Sequence, residues 1–263
     1  MKKIVNIIDK KFGSTLTCYL HNDGDDEVKN AQRPAMVIFP GGAYEIVSDT
    51  ENECVSSAFF SKGFNTFVVK YSVKRKAKNM QPLKEAATAI LMIRENAKEW
   101  EINPNQVVVC GFSAGGHLAG SIGILYKNKE LLKSLNTEQS KIRPDAMVLC
   151  YPVVCTGEHI FKNAFYRLTG HGHYNSDYEK YSLEKFVDSD TPPAFIWHCV
   201  DDDCVDVENS MILMAELKKN NIPLEAHFFE KGGHGLSVCE NYPHAAHWLT
   251  LCSEWIFERF SLL

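Results

Sequence analysis

Val107-Val108-Val109-Cys110-Gly111-Phe112-Ser113-Ala114-Gly115-Gly116-His117 is the stretch that decides how this chain folds. A β-branched apolar run meets a Gly-x-Ser-x-Gly pentapeptide, and small, helix-compatible residues follow. That order reads as strand, sharp turn and helix, with one hydroxyl at the apex. A serine at the tip of such a turn is held in a strained conformation with its Oγ exposed, and a Cβ two residues to either side would collide with neighbouring backbone. Gly111 and Gly115 remove both collisions, and Ala114 leaves its backbone N–H free to face a developing negative charge. Glycines around a serine also make ordinary turns; the strand before and the helix after are what single out Ser113 as a candidate nucleophile.

A serine hydroxyl attacks poorly unless an imidazole takes its proton and a carboxylate orients that imidazole. Downstream, Pro193-Ala194-Phe195-Ile196-Trp197-His198 reads as a buried strand, and Cys199-Val200-Asp201-Asp202-Asp203-Cys204-Val205 follows it. Carboxylates at the C-terminal end of a strand lie where open α/β sheets place their sites. Further on, Leu224–Glu230 alternates like a strand and leads into Lys231-Gly232-Gly233-His234-Gly235, a loop on which a histidine can swing toward a neighbouring strand end. With ten histidines in the chain, any single one is by default a surface or core residue. His234 stands apart through its glycine-rich loop after the acid. His21, His159, His171, His173, His227, His244 and His247 lack that context, His117 reads as a packing or hydrogen-bonding residue, and His198 reads as structural. At most one of Asp201, Asp202 and Asp203 is expected to serve the histidine, and the run is otherwise a solvated turn.

Upstream, Ala35-Met36-Val37-Ile38-Phe39 reads as a central strand ending in Pro40-Gly41-Gly42-Ala43-Tyr44. Placed about seventy residues before the serine, this turn has the position and composition of an oxyanion loop, whose N–H groups join that of the residue after the nucleophile. Together with Thr191–His198, Val207-Glu208-Asn209-Ser210 and Lys231–Leu236, these residues make the chain resemble an α/β-hydrolase of the esterase/lipase group. Within that group it is similar to bacterial acetyl-xylan-esterase-related and sugar-hydrolase proteins. The resemblance runs from about Pro34 to Leu236. It implies Ser113 as nucleophile, His234 as base, and Gly42, Ala43 and Ala114 as oxyanion-hole candidates. The acid of the family lies four residues after a strand-end histidine and three before a valine, and both counts land on Asp202. Pro40 stands where lipases carry histidine, Ala43 replaces a third glycine, and Asp206 stands where many relatives have proline. Asp206 is thus a second carboxylate able to compete for His234.

At 263 residues, 45% hydrophobic and 23% charged, the chain is long enough to bury about three quarters of its unfolded surface in one core. No linker, repeat or low-complexity tract divides it, so a single domain over residues 1–263 is expected. A net charge of -5, with no basic run longer than Lys74-Arg75-Lys76, argues against nucleic-acid binding. The apolar stretch at Ile4–Ile8 is broken at Asn6 and too short for a signal sequence, and no apolar run reaches membrane-spanning length. Nine cysteines without CxxC spacing predict reduced core thiols and a cytoplasmic protein. Cys199 and Cys204 flank three aspartates, but a serine site explains those residues better than a metal does. No metal or cofactor is expected.

Candidate strands are Ile4–Asp9, Thr15–His21, Ala35–Phe39, Thr66–Tyr71, Gln106–Cys110, Ala146–Tyr151, Ala194–His198 and Leu224–Glu230. Candidate helices are Asn52–Lys62, Pro82–Trp100, Ala114–Tyr126, Val207–Asn220 and Pro243–Phe260. Two opening strands followed by strand–helix alternation predict an α/β fold, a mostly parallel, doubly wound sheet with an antiparallel N-terminal edge. The rhythm fails from Cys155 to Asp190, where Phe161, Phe165, Tyr166, His171, His173, Tyr174, Tyr178 and Tyr181 cluster. In α/β-hydrolases an insertion at this place roofs the pocket, and rings with polar tips can stack on sugars. A lid packing its own rings, or a contact with a second copy of the chain in a homo-oligomer, fits the same composition.

These residues predict a serine carboxylester hydrolase. The resemblance and the aromatic insertion point to a short acyl group, acetyl first, on a sugar or oligosaccharide. A prolyl-oligopeptidase-type peptidase shares the pentapeptide, but no propeller domain or charged anchor for a peptide terminus is visible. A catalytically silent binding protein on the same fold is the alternative from another class, against which Ser113, Asp202 and His234 all stand intact.

Overall fold

The computed structural model of the protein describes residues 1–21, 32–172 and 175–262. Its strands are β1 (Lys2–Asp9), β2 (Ser14–Leu20), β3 (Arg33–Phe39), β4 (Asn65–Lys70), β5 (Ile102–Phe112), β6 (Ala146–Cys150), β7 (Ala194–Cys199) and β8 (Leu224–Phe229). They form one sheet in the order β1-β2-β4-β3-β5-β6-β7-β8. β1 and β2 pair antiparallel at one edge, β2 meets β4 antiparallel, and every pairing from β4 to β8 is parallel. Each predicted strand is present. The central ones are buried on both faces, which is why they read as unbroken apolar runs rather than alternating ones.

The helices are α1 (Glu53–Ser61), α2 (Gln81–Glu95), α3 (Ala114–Ile124), α4 (Lys129–Leu135), α5 (Gln139–Ile142), α6 (Lys162–Thr169), α7 (Glu208–Lys219), α8 (Pro243–Ala246) and α9 (Trp248–Arg259). Successive strand residues point to opposite faces, and this sorts the core into two halves. Val37, Val69, Val109, Leu149 and Ile196 pack with Ala86 and Ile90 of α2, Leu118 and Ile122 of α3, and Leu213 of α7. Their neighbours Ile38, Val68, Cys110, Val148 and Trp197 pack on the other side with Val55 and Phe59 of α1 and Trp248, Cys252 and Ile256 of α9. α3 is buried on every side, the pattern of a helix sandwiched between sheet and covering layer.

Two predicted helices are too long. α2 stops at Glu95 instead of Trp100 because the Asn96 side chain donates to Met92 O at 2.7 Å, competing with the backbone for a terminal carbonyl. The stretch Pro243–Phe260 is divided at His247, whose ring bonds the His244 carbonyl at 3.0 Å. α4 and α5 have no counterpart among the predicted helices; α4 opens on Asn128, whose side chain accepts from Glu130 N and Leu131 N.

Residues 155–190 hold α6 and two 3-10 turns at Tyr178–Tyr181 and Leu183–Phe186. Phe165, Tyr178 and Tyr181 are buried and join the core, so these rings pack inward, while Tyr166 is exposed. His173 and Tyr174 lie outside the described residues. Arg167 of α6 forms an ion pair with Glu45, which fastens the segment to the turn after β3.

Candidate active site

Four loops that leave the C-terminal ends of β3, β5, β7 and β8 converge, the position at which open α/β sheets build sites. At the end of β5 the chain turns into α3 through Ser113, whose φ of 53° and ψ of −118° are outside the ordinary regions for a side chain with a Cβ. The turn is tight enough that a Cβ on Gly111 would lie 2.0 Å from Gly115 O, and one on Gly115 would lie 2.0 Å from Phe39 O. Only glycine fits either place. Ser113 N donates to Cys150 O at 3.0 Å, and Ser113 O accepts from Val153 N and His117 N, so the strained residue is fixed from both sides.

The structure brings Ser113, His234 and Asp202 together. Nε2 of His234 lies 2.8 Å from Ser113 Oγ, and its Nδ1 lies 2.6 Å from Asp202 Oδ2. Asp202 follows β7, and its side chain is fully buried. Its Oδ1 accepts from Cys204 N and Val205 N, both at 2.9 Å. With Nδ1 facing a carboxylate, the proton of neutral His234 sits on Nδ1, and Nε2 is free to accept from the serine. Burial pushes the Asp202 carboxyl up, but hydrogen bonds from His198 and His234, the electrostatic attraction of the nearby His234 ring and the Val205 N–H outweigh it. The carboxyl is held well below the ordinary carboxylate range.

Asp206 is elsewhere: its Oδ2 pairs with His159 Nδ1 at 2.6 Å, and it does not compete for His234. Asp201 accepts from Gly233 N at 2.9 Å and so steadies the histidine loop from outside. His198, read from sequence as structural, is buried and touches Asp202 directly. Its Nε2 is 2.9 Å from Val205 O, which can only accept, so Nε2 carries the proton and shares it with Asp202 Oδ2 at 3.1 Å; Ser210 Oγ meets Nδ1 at 2.8 Å. The spacing His198-x-x-x-Asp202 was the available signal for this contact.

The turn after β3 carries Gly42 at φ 118° and Ala43 and Tyr44 both at φ 56°. Gly42 O accepts from Glu45 N and Ile46 N, whereas the N–H groups of Gly42 and Ala43 donate to no acceptor among the described residues. Ala114, the first residue of α3, has no intrahelical acceptor for its own N–H. These are the free donors that stabilisation of an oxyanion requires. The ligand-type cluster found among the described residues is His159, Asp206 and Glu208, with atoms within 4.8 Å of one another. Its histidine is already engaged with Asp206 as an ion pair, and Ser113 is not a member.

His117, one turn into α3, is a packing residue as expected. Its Nε2 donates to Tyr181 O at 2.8 Å, so its Nδ1 accepts from Tyr44 O–H at 2.8 Å, and the neutral ring joins α3 to both the insertion and the oxyanion turn. Burial lowers its pKa from 6.5 to about 4. The folded state therefore resists a proton that the unfolded chain accepts below 6.5, and stability falls as pH drops through that window and levels off below about 4. The loss of unfolding free energy between pH 7 and pH 4 should be about 3 kcal/mol smaller in His117→Gln than in the parent, as read from urea unfolding at the two pH values. Equal losses in both proteins would show that His117 does not carry it.

Against known families, the model of BD-FAE matches residues 25–217, which is most of the chain, from before β3 through most of α7. The chain belongs to the BD-FAE family. The match ends before β8, so the His234 loop lies beyond it. A solved acetyl ester-xyloside bifunctional hydrolase from Caldicellulosiruptor lactoaceticus superposes with a TM-score of 0.83 at 34% identity, covering 96% of this chain and 90% of that one. The chain has the α/β-hydrolase fold predicted from its sequence. Endo-1,4-beta-xylanase B of Butyrivibrio fibrisolvens is 34% identical over 235 residues, covering 88% of this chain and 36% of that protein. Acetylxylan esterase of Xylanibacter ruminicola is 29% identical over 237 residues, covering 86% of this chain and 46% of that protein. The chain thus spans less than half the length of these two relatives.

Proposed function

We propose that the protein is a serine carboxylester hydrolase that removes acetyl groups from xylose-containing or related oligosaccharides. The observation that carries the reading is the unbroken run Asp202 Oδ2–His234 Nδ1, His234 Nε2–Ser113 Oγ, at 2.6 and 2.8 Å. In this reading Ser113 Oγ attacks the ester carbonyl as its proton passes to His234 Nε2. Asp202 holds the ring and stabilises the imidazolium. The N–H groups of Ala114 and of Ala43 or Gly42 receive the oxyanion, and His234 then returns the proton to the departing sugar hydroxyl. Water, activated by the same imidazole, cleaves the acyl-enzyme. The acetyl and sugar parts of the proposal are supported by relatives named for acetylxylan and acetyl ester-xyloside hydrolysis. We place the insertion at 155–190 as a wall of the alcohol side, on the support of the Arg167–Glu45 pair beside the oxyanion turn. Nine free cysteines support a reducing compartment.

In this reading Ala43 adds a methyl group, in place of a third glycine, to the turn that supplies the oxyanion donors, so the acyl pocket is expected to be small. kcat/KM should fall along an acetyl, propionyl, butyryl and hexanoyl series of p-nitrophenyl esters, each methylene that fails to fit costing about 1–3 kcal/mol. Acetylated xylo-oligosaccharides should release acetate. A rise with chain length would instead indicate a lipid or general carboxylesterase. A serine-directed fluorophosphonate should label Ser113, and absence of labelling in folded protein would favour a silent binding protein.

A further inference from the structure

Glu51, between the oxyanion turn and α1, is a buried carboxyl group, 3% exposed, that the mechanism above does not use. Its Oε2 accepts from Gly41 N at 2.7 Å, at the root of the oxyanion turn. Its Oε1 accepts from Tyr151 O–H, also at 2.7 Å. Tyr151 follows β6, and its oxygen accepts in turn from Ser237 N at 2.9 Å, three residues beyond His234. Ser237 Oγ closes the circuit by donating to Thr50 O at 2.6 Å, one residue before Glu51. The Tyr151 ring meets the His234 ring edge-on, with centroids 4.9 Å apart. Each oxygen of Glu51 thus faces a donor, and the two donors lead to the two loops that flank Ser113.

A buried carboxylate is costly to keep, and an amide or apolar side chain of the same size would fill the space more cheaply. What a carboxylate offers is two charge-assisted hydrogen bonds of fixed direction. We propose that Glu51 is a positioning residue that ties the oxyanion turn, through Gly41 N–H, to the histidine loop, through Tyr151 O–H and Ser237 N–H, and so sets both partners of Ser113 together. The inference rests on the esterase reading. Burial raises the Glu51 carboxyl, while the bonds from Tyr151 and Gly41 and the nearness of His234 favour its charged form.

The test is a double-mutant cycle of Glu51→Gln and Tyr151→Phe, assayed on p-nitrophenyl acetate. The amide must turn a donor toward Gly41 N–H or Tyr151 O–H, so Glu51→Gln should lower kcat about 100-fold with KM within about twofold. Tyr151→Phe keeps the ring against His234 and removes only the oxygen; it should lower kcat about tenfold. Because both act through one chain of bonds, the double variant should be no slower than Glu51→Gln. The proposal is overturned if kcat of Glu51→Gln stays within about threefold of the parent, if the two losses multiply, or if the loss only tracks the folded fraction measured by circular dichroism. Should Glu51→Gln not fold, unchanged kcat in Tyr151→Phe overturns it equally. A parent protein inactive on this ester and unlabelled by fluorophosphonate would sink the esterase reading, and this inference with it; an active parent with unaffected variants sinks this inference alone.

Discussion

Ser113→Ala lowers kcat by about four to six orders of magnitude on the proposed mechanism, because nucleophile and base act as a unit and neither works alone. The expected change in stability is small, within about 1 kcal/mol, since the hydroxyl gives up one hydrogen bond, to His234 Nε2. The φ of 53° remains with alanine, because the strain belongs to the backbone between Gly111 and Gly115, and the Cβ that suffers it is still there. A residual rate above that of water is expected from the free N–H donors of the oxyanion turn and of Ala114. Hydrolysis of p-nitrophenyl acetate and a thermal melt check both halves. A Ser113→Ala variant that keeps most of its esterase activity would show that the hydroxyl is not the nucleophile.

The sheet was legible in the sequence because parallel strands buried on both faces leave continuous apolar runs, and β3, β6 and β7 are of that kind. Helix ends were less so. Hydrophobic spacing continues through Ala97 and Trp100, both buried, although the helix itself has ended; burial fixes which residues face inward but not whether the backbone between them stays helical. The insertion defeated periodicity because α6 and the neighbouring 3-10 turns are too short to show one. Its aromatic content suggested a sugar platform, yet Phe165, Tyr178 and Tyr181 point inward, and composition alone cannot separate a ring that lines a cleft from one that fills a core.

The site was legible where chemistry forces residue type onto backbone shape. Gly111 and Gly115 are read directly, since no other residue survives contacts of 2.0 Å. His234 is legible through its glycine loop and its place after the acid. Harder to see are groups that act on these residues from a distance in sequence. Glu51 lies 62 positions before Ser113 and Tyr151 38 after it, in runs with no motif of their own, and only folding makes them one hydrogen-bonded chain. The ambiguity between Asp202 and Asp206 had the same origin. Four residues apart on one turn, both are carboxylates within reach of the site; the spacings from His198 and Val205 favour Asp202, and the turn closed by Cys204 N and Val205 N aims it at His234 and Asp206 at His159.

That closure makes Asp202→Asn an unusually determinate substitution. An asparagine at this position has one oxygen to offer, and two backbone donors, Cys204 N–H and Val205 N–H, demand it at the Oδ1 site. The amide nitrogen is then left at the Oδ2 site, facing Nδ1 of His234 and the N–H of His198. A donor there drives His234 into the other tautomer, with its proton on Nε2 pointing at Ser113, so the ring can no longer take the serine proton. Packing against His198 Nε2–H is also unfavourable, because two donors meet in a site closed to water. kcat should therefore fall about ten-thousandfold with Ser113 and His234 both present. Asp203→Asn and Asp206→Asn, at exposed positions off this network, should stay within about threefold of the parent, and Asp201→Asn should lose little because an amide oxygen still accepts from Gly233 N. Measuring kcat for the four variants on one ester decides the matter: an Asp206 variant as slow as the Asp202 variant, or an Asp202 variant near parental rate, would mean that the carboxylate seen 2.6 Å from His234 is not the one that sets its tautomer in turnover.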